Sequence, residues 1–318
     1  MKIVLPGGNG QVGTVLARAF HRDGHEVTVL TRKTARPTVW RTSQWNLEEV
    51  KTWASELEGA DVVINLAGRS VNCRHTPANR REIMESRVRS VQAVGRAIEM
   101  MKHPPRTWLQ MSTAAIYSHR FDEANDELNG TIGGHEANVP ASWQFSIDVA
   151  TAWERALDEI ITPSTRKVKI RSSIVMSPDR GGIFDVLLGL VRRGLGGTAG
   201  DGRQYVSWVH EADFVRAVYL LIERSDLEGA VNLASPISAP NREFMAILRR
   251  AWGTRIGLPA PEWIIKIGSV LLRTEPELVL KSRWVAPKRL LQAGFRFEHP
   301  DWQEAAVELC SRWRNQTS

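Results

Sequence analysis

Short apolar runs alternate along the chain with longer segments of helical periodicity. The first run, at 3–5, is rich in β-branched residues and lacks polar alternation, which is typical of a parallel strand buried on both faces. The predicted strands are 3–5, 26–30, 62–64, 108–112, 168–175 and 229–233, and the predicted helices include 15–20, 79–98, 143–161 and 214–223. This alternation predicts an α/β protein with a Rossmann-type, doubly wound and mainly parallel sheet.

The first predicted strand runs directly into a glycine-rich turn and then a helix. Glycines at positions 7, 8, 10 and 13 satisfy both Gly-x-Gly-x-x-Gly and Gly-x-x-Gly-x-x-Gly. In this context the glycines form the turn, let the backbone approach a pyrophosphate and let the helix pack on the strand. A turn with a purely structural role is the alternative. The predicted cofactor-binding residues here are Gly7, Gly8, Asn9, Gly10, Gln11, Val12 and Gly13.

The end of the second predicted strand indicates which dinucleotide is bound. NAD sites place an acidic residue about 20 positions after the glycines, where it binds the ribose 2′-hydroxyl. This chain has Thr31, Arg32 and Lys33 in that region and no acidic residue. Because a guanidinium suits a 2′-phosphate, the sequence predicts NADP(H) as the cofactor, with these three residues in contact with it. A solvated arginine at a strand end is the alternative.

Two further strand ends are predicted to border the cofactor. Small residues at 65–68 leave space for a ligand in the crevice of the sheet, and the hydroxyls of Ser112 and Thr113 lie where a nicotinamide would project. Most arginines between 69 and 96 predict a solvated helix face, whereas Arg87 flanks the apolar stripe and is expected to reach the site. The predicted contacts are Leu66, Ala67, Gly68, Arg87 and Ser112.

A second glycine-rich segment, 194–213, runs into a strand that carries aromatic and cationic residues. Such groups at a loop edge can hold a planar or phosphorylated ligand, so Arg203 and Trp208 are predicted to bind substrate outside the core. An irregular loop with a half-buried tryptophan is the alternative. Beyond Pro236 short helices alternate with prolines, which predicts a dinucleotide-binding domain at 1–235 and a small, mainly helical substrate domain at 236–318. Residues of about 176–205 are expected on the substrate side.

Composition narrows the class of protein. The 318 residues include twelve tryptophans and no apolar run near the roughly 20 residues of a membrane span, so no membrane partner is expected. The eight histidines show no metal-ligand spacing, and no metal is expected.

Cys73 and Cys310 lack redox spacing and the glycine loop leaves no room for a signal peptide, which favours the cytoplasm. The net charge of +7 is explained by an anionic cofactor or substrate, without nucleic acid. The oligomeric state, monomer or homodimer, is left open.

Several segments together resemble the extended short-chain dehydrogenase/reductase superfamily: the glycine loop, 61–68, 112–117 and 203–213. Segments 85–88, 153–154, 196–210 and 287–297 are similar to motifs of its atypical "epimerase family" branch, the last within a C-terminal domain of unknown function. The resemblance covers nearly the whole chain. It implies a Rossmann-type domain that binds NADP(H) and a small substrate domain, but no particular reaction, because the branch is named for its fold.

The superfamily's Tyr-x-x-x-Lys pair is missing from this chain. The residues four positions after the three tyrosines are Phe121, Val209 and Glu223. If Glu154 matches the superfamily's helix, Ser146 and Ala150 occupy the places of the tyrosine and the lysine. The catalytic part of the resemblance is therefore incomplete.

Three residues are the candidates for catalysis. Thr113 matches the superfamily's catalytic serine or threonine, Ser112 is the alternative, and Tyr117 lacks a lysine at the usual spacing. The substitute acids, if the fold brings one to the nicotinamide, are His75, His210 and Asp148. We therefore expect an NADP(H)-binding, epimerase- or oxidoreductase-like protein for a polar small molecule, anionic or nucleotide-sugar-like. The alternative is a non-catalytic NADPH-binding regulator or sensor.

Overall fold

The computed structural model describes residues 1–32, 37–137, 139–271 and 275–316. In chain order the strands are β1 (Lys2–Pro6), β2 (Glu26–Thr31), β3 (Arg41–Gln44), β4 (Val62–Asn65), β5 (Thr107–Thr113), β6 (Arg166–Ser172), β7 (Ile174–Met176), β8 (Tyr205–Val206), β9 (Trp208–His210), β10 (Gly229–Leu233) and β11 (Ala239–Pro240). The α-helices are α1 (Gln11–Arg22), α2 (Pro77–Glu99), α3 (Gln144–Asp158), α4 (Ile183–Arg192), α5 (Glu211–Glu223), α6 (Asn241–Trp252), α7 (Glu262–Leu271), α8 (Glu277–Leu280), α9 (Lys288–Gln292) and α10 (Trp302–Asn315).

Seven strands form one central sheet in the order β3-β2-β1-β4-β5-β6-β10, and neighbouring strands run parallel throughout. The chain winds outward from β1 in one direction and, after β3, resumes at β4 on the other side of β1. Parallel sheets of this kind bind ligands where the winding reverses, outside the carboxyl ends of β1 and β4. The predicted Rossmann-type architecture is confirmed.

Both faces of the sheet are covered, which explains the unbroken apolar run at 3–5. Ile3 and Leu5 pack with α1 and α5 on one face, whereas Val4 packs with α2 and α3 on the other. A strand buried on two sides needs an apolar residue at every position, and all three of these side chains have no exposed surface.

Two details of the strand prediction were wrong. The run predicted as one strand at 168–175 is two strands, because the chain breaks at Ser173, whose amide donates to Leu233 O. After that break β7 pairs with β9 in a separate small sheet. The edge strand β3 was missed because its residues, Arg41–Gln44, are polar and largely exposed.

A third core lies beside the sheet and joins α4, α6 and α10. At its centre the Trp302 ring stacks on Phe244, with ring centroids 4.1 Å apart. This core contains residues from both sides of position 235, so the division into domains at 1–235 and 236–318 stays a prediction. None of the helices in the described ranges is long and apolar enough to cross a membrane.

Candidate functional site

The turn between β1 and α1 depends on glycine at several positions. Gly7 has a φ of +74°, which favours glycine, and a Cβ there would lie 2.5 Å from Ala67 Cα. A Cβ on Gly13 would lie 2.2 Å from Gly8 O, so this glycine lets α1 pack against the turn. The turn is therefore pressed against the end of β4 and against its own helix.

Gly10 has a different role. It precedes α1 with φ −85° and ψ 178°, a conformation open to any residue, and a Cβ there would meet nothing within 4 Å. The fold itself does not require glycine here. The open space lies before the first turn of α1, whose amides have no partner within the helix and carry partial positive charge. An anion can bind there.

A cleft of about 310 Å³ opens at the carboxyl ends of β1, β2 and β4. It is lined by Gly7, Asn9, Thr31, Arg32, Trp45, Leu47, Ala67, Gly68 and Ser86. Six of these nine were singled out from the sequence. Trp45, Leu47 and Ser86 were missed, although an apolar pair directly after a polar segment is a signal that could have suggested the first two.

Arg32 is exposed at the entrance of this cleft. It also lines an adjoining groove of about 370 Å³. In that groove Arg69 pairs with Glu82 and Arg89 pairs with Glu48. No carboxylate in the described ranges lies within 4.0 Å of the Arg32 guanidinium, which leaves it available for an anionic ligand. Lys33, the other predicted cation, lies outside the described residues.

Buried polar contacts fix the wall at Ala67 and Gly68. The side chain of Asn65 accepts a hydrogen bond from the Ala67 amide (3.1 Å) and donates one to Gln110 Oε1 (2.9 Å). The Leu66 amide donates to Pro6 O at 2.8 Å. These contacts hold the chain after β4 beside the glycine turn, so the cleft wall is preformed.

Arg87 supports the same wall from behind. A Cβ on Gly68 would lie 3.1 Å from Arg87 Cζ, and the guanidinium donates to Arg69 O and Ile83 O, both at 3.0 Å. Burial lowers the pKa of Arg87 to about 10. It lies near the cleft, as expected from its place beside the apolar stripe of α2. Direct contact with a cofactor stays a prediction.

Ser112, one predicted catalytic group, belongs to a buried hydrogen-bond network. Its hydroxyl donates to Glu154 Oε1 at 2.6 Å, and Arg171 binds the two oxygens of that carboxylate at 2.8 Å each. Burial opposes ionisation of Glu154, but the hydrogen bonds and charge of Arg171, together with the Ser112 hydroxyl and the charge of Lys169, outweigh it and hold the pKa of Glu154 below its usual range. The Ser112 hydroxyl is thus already paired with a carboxylate, and its predicted catalytic and cofactor-binding roles stay predictions.

Tyr117 lies in the same network. Its hydroxyl donates to Asn232 Oδ1 and accepts from Arg171 Nη1, both at 2.9 Å, and the ring is buried. Burial raises the pKa of Tyr117, which makes the phenol a still weaker acid. These surroundings do not favour the predicted catalytic role of Tyr117, which stays a prediction. Thr113 is half-buried and its Oγ1 accepts from the Ala115 amide at 3.1 Å, so its role stays a prediction.

The two predicted substrate residues have different surroundings. Trp208 has 0% exposed surface, its ring packs 4.9 Å from Trp302, and its indole N–H donates to Ile237 O. The expectation that Trp208 binds substrate is wrong, because the third core encloses it. Arg203 is exposed and lies 5.5 Å from the Phe121 ring, so it can still meet a ligand.

The substitute acids do not supply an obvious proton donor. His210 is buried, caps α5 through the Ala212 amide and contacts Glu308, whereas Asp148 is exposed. The His75 ring packs against Phe145. The part of the chain that the structure describes contains no cluster of three or more potential metal ligands.

Sequence reasoning missed two charged residues inside the molecule, Glu277 and Lys281. Glu277 Oε2 accepts from the hydroxyl of Ser146, and Lys281 Nζ donates to Ala115 O. Two charged residues four positions apart, the first directly after Pro276, are typical of an exposed short helix, so no local signal distinguishes them.

Comparison with known proteins adds to this geometry. Residues 3–234 match the NAD dependent epimerase/dehydratase family, and residues 260–309 match a domain of unknown function, DUF1731. The chain is 29% identical to the epimerase family protein SDR39U1 of Homo sapiens, over 97% of this chain and 99% of that one. It is also 29% identical to the epimerase family protein YfhF of Bacillus subtilis, over 97% and 98%. The crystal structure of human SDR39U1 with NADPH matches with a TM-score of 0.84 at 28% identity, covering 98% of this chain and 99% of that one.

Proposed function

The chain belongs to the NAD dependent epimerase/dehydratase family, and on that premise we propose that it binds NADP(H) and acts with it on a polar small molecule. One observation carries the proposal. The cleft at the reversal of the sheet combines the glycine turn with Arg32, a guanidinium that has no carboxylate partner within the described ranges. The NADPH in the human relative's structure supports the same cofactor here.

The lining of the cleft suits a dinucleotide phosphate. The pyrophosphate would lie before the first turn of α1, in the open space at Gly10, and the 2′-phosphate would lie against Arg32. The Ala67 and Gly68 wall would border the cofactor on its other side. Bound NADP(H) supplies or accepts a hydride, and the protein's part is to bind and orient it and to manage the proton.

The preference for a 2′-phosphate can be given a size. A hydrogen bond to a charged group contributes roughly 1.5–3 kcal/mol, which corresponds to about 10- to 150-fold in affinity. Since the chain offers no acidic residue at the end of β2, a free ribose hydroxyl pair lacks the partner that NAD sites provide. Both facts favour NADP(H) over NAD(H).

The proposed activity is that of an oxidoreductase or epimerase on a polar substrate, anionic or nucleotide-sugar-like. Arg203 is exposed and cationic, which suits an anionic group, and Thr113 can donate a hydrogen bond to a substrate oxygen. A non-catalytic NADPH-binding regulator is the second candidate. It is favoured by the missing Tyr-x-x-x-Lys pair and by the enclosure of Ser112 and Tyr117.

One experiment separates these candidates. The protein is incubated with NADPH and a panel of carbonyl compounds that includes nucleotide sugars, and oxidation of NADPH is measured by its loss of absorbance. We expect stoichiometric NADPH binding, and turnover with at least one polar carbonyl compound. Binding without turnover across the panel would favour the regulator. Absence of binding would overturn the proposal itself.

The expectations about cellular compartment, nucleic-acid partners and oligomeric state also belong to this proposal. Cys73 and Cys310 are both free thiols, which agrees with a reducing cytoplasm. The phosphates of the cofactor and an anionic substrate account for the basic charge, so no nucleic-acid partner is proposed, whether the protein is a monomer or a homodimer. An RNA affinity that falls steeply with salt would contradict that part.

A further inference from the structure

Glu277 and Lys281 bring two ionisable groups into the interior, one helical turn apart. Glu277 is 3% exposed and Lys281 2% exposed. The Oε1 atom of Glu277 has no hydrogen-bond partner among the described residues. Lys281 Nζ carries three donors, and its one hydrogen-bond partner among those residues is Ala115 O at 2.9 Å. Charged groups this buried normally have all their hydrogen bonds satisfied. The unused hydrogen-bonding capacity of Glu277 Oε1 and Lys281 Nζ indicates that a further polar molecule binds to them.

The position of the pair connects it to the carboxyl end of β5. Ala115 donates its amide to Thr113 Oγ1 at 3.1 Å and accepts from Lys281 Nζ at 2.9 Å. A single residue therefore separates the hydroxyl of Thr113 from the ammonium of Lys281. Ser146 donates to Glu277 at 2.8 Å, and it takes the place of the superfamily's missing tyrosine if Glu154 matches the superfamily's helix. The connection through Ala115 leads to the strand end where the nicotinamide is expected, and the one through Ser146 leads to α3.

We propose that Lys281 is the proton donor to a carbonyl oxygen of the substrate, with Glu277 and Ser146 as positioning residues. The C-terminal segment would thereby supply the acid–base group that α3 lacks. This inference rests on the proposed function, with NADPH as the reductant. The carbonyl carbon accepts the hydride, the carbonyl π pair moves to oxygen, and that oxygen takes a proton from Nζ. The products are an alcohol, NADP⁺ and a neutral amine, which regains its proton from water.

The electrostatic surroundings suit this role. Burial, followed by the positive charge of Arg283, lowers the pKa of Lys281 to about 8, against the opposing effects of Glu277 and Glu136. His119 also faces this group, and burial and Lys281 lower the pKa of that imidazole. An amine that titrates near 8 exchanges protons readily at neutral pH, whereas an ordinary lysine near 10.4 stays charged.

The first test measures this titration directly. The chain has nine lysines, so labelling with [ε-¹³C]lysine gives a spectrum in which Lys281→Met identifies the resonance by its loss. We expect that resonance to titrate near pH 8, and Glu277→Gln to lower its midpoint further because the carboxylate favours the ammonium. Lys167→Met, which removes a lysine bound to Leu157 O and Ile160 O, should leave the midpoint unchanged. A midpoint near 10.4 would overturn the proposal.

The second test asks whether a carbonyl compound reaches the amine. Glyoxylate forms an imine with a neutral Nζ with loss of water, and cyanoborohydride reduces that imine to a stable amine detectable by peptide mass spectrometry. We expect labelling of Lys281 to rise through pH 8, with the exposed Lys266 as the positive control in the same sample. Labelling of Lys266 but not of Lys281 would overturn the proposal.

Two further readouts separate this proposal from the proposed function. Lys281→Met should keep the NADPH dissociation constant within about twofold, and it should slow reduction of a carbonyl substrate by about 10²- to 10⁴-fold, the usual contribution of a positioned acid. Lys167→Met should do neither. If the unaltered chain fails to bind NADPH, the proposed function fails; if it binds and reduces while Lys281→Met retains full rate, only the role of Lys281 fails.

Discussion

Gly7 and Ala67 approach so closely that a Cβ on Gly7 would lie 2.5 Å from Ala67 Cα. Gly7 belongs to the turn after β1 and Ala67 to the segment after β4, the two strands between which the winding of the sheet reverses. Their contact makes one continuous wall, and the cleft lies along it. The ligand site is thus built from backbone that only glycine and small residues allow to meet.

Two glycines of the turn should respond differently to replacement by valine. Gly10→Val should fold normally, because a Cβ there meets nothing within 4 Å, yet lose cofactor binding because the side chain fills the space for the pyrophosphate. Gly13→Val should fail to fold, since its Cβ would lie 2.2 Å from Gly8 O. Circular dichroism with NADPH titration checks both variants. A folded Gly10→Val that binds NADPH normally would show that the phosphates bind elsewhere.

The buried Glu154–Arg171 pair should be a major contributor to stability. Glu154→Gln leaves the Arg171 guanidinium without its charged partner, and breaking a buried pair costs roughly 3–5 kcal/mol. Glu159→Gln, in an exposed pair with Arg155, should cost under about 0.5 kcal/mol. Urea denaturation measures both free energies of unfolding. Equal losses would mean that the buried network contributes no more than a surface pair.

The same carboxylate should make stability depend on pH in the acid range. The pKa of Glu154 is lowered in the folded state, so its stabilisation is complete above the unfolded value of about 4.3 and is lost as the pH falls through the lower, folded value. Glu154→Gln should therefore flatten the stability curve below pH 4.3. Denaturation midpoints measured from pH 3 to pH 7 test this sign, and an unchanged acid slope would argue against it.

Substitution of Trp208 should affect the free energy of unfolding, whereas substitution of Arg203 should affect ligand binding. Trp208→Ala empties a fully buried site beside Trp302 and should cost about 3–5 kcal/mol of unfolding free energy. Arg203→Ala should leave the melting temperature and the NADPH affinity unchanged, because the residue is exposed. The same variant should have a lower affinity for any anionic ligand found by screening. A large loss of stability in Arg203→Ala with ligand affinity intact would reverse its assignment.

The sequence predicts best those features of the fold and the site that are set by residues close together in the chain. The glycine spacing and the apolar run of residues 3–5 predict the turn and the buried strand, because each depends on neighbours in the chain. Arg32 is found in the same way, since it follows its strand directly. Ser86 was missed because its presence in the cleft depends on how distant segments pack.

The catalytic region was the least predictable for the same reason. Ser112 ends a strand, but its hydroxyl is taken by Glu154, 42 positions away in sequence. Trp208 follows a glycine-rich loop, yet α6 and α10 bury it. Lys281 reaches Ala115 across 166 positions of the chain. Contacts of this kind are properties of the packed fold, and no spacing rule in the sequence reports them.

The most direct test of the account compares NADPH with NADH at fixed ionic strength, in the unaltered chain and in Arg32→Ala. Arg41, on the edge strand β3, pairs with Glu56, and Arg41→Ala is the matched control for loss of a surface cation. The unaltered chain and the control should bind NADPH about 10- to 150-fold more tightly than NADH, and Arg32→Ala should lose most of that preference with NADH affinity nearly unchanged. Equal affinities for the two cofactors in the unaltered chain would contradict the assignment of Arg32 and of NADP(H).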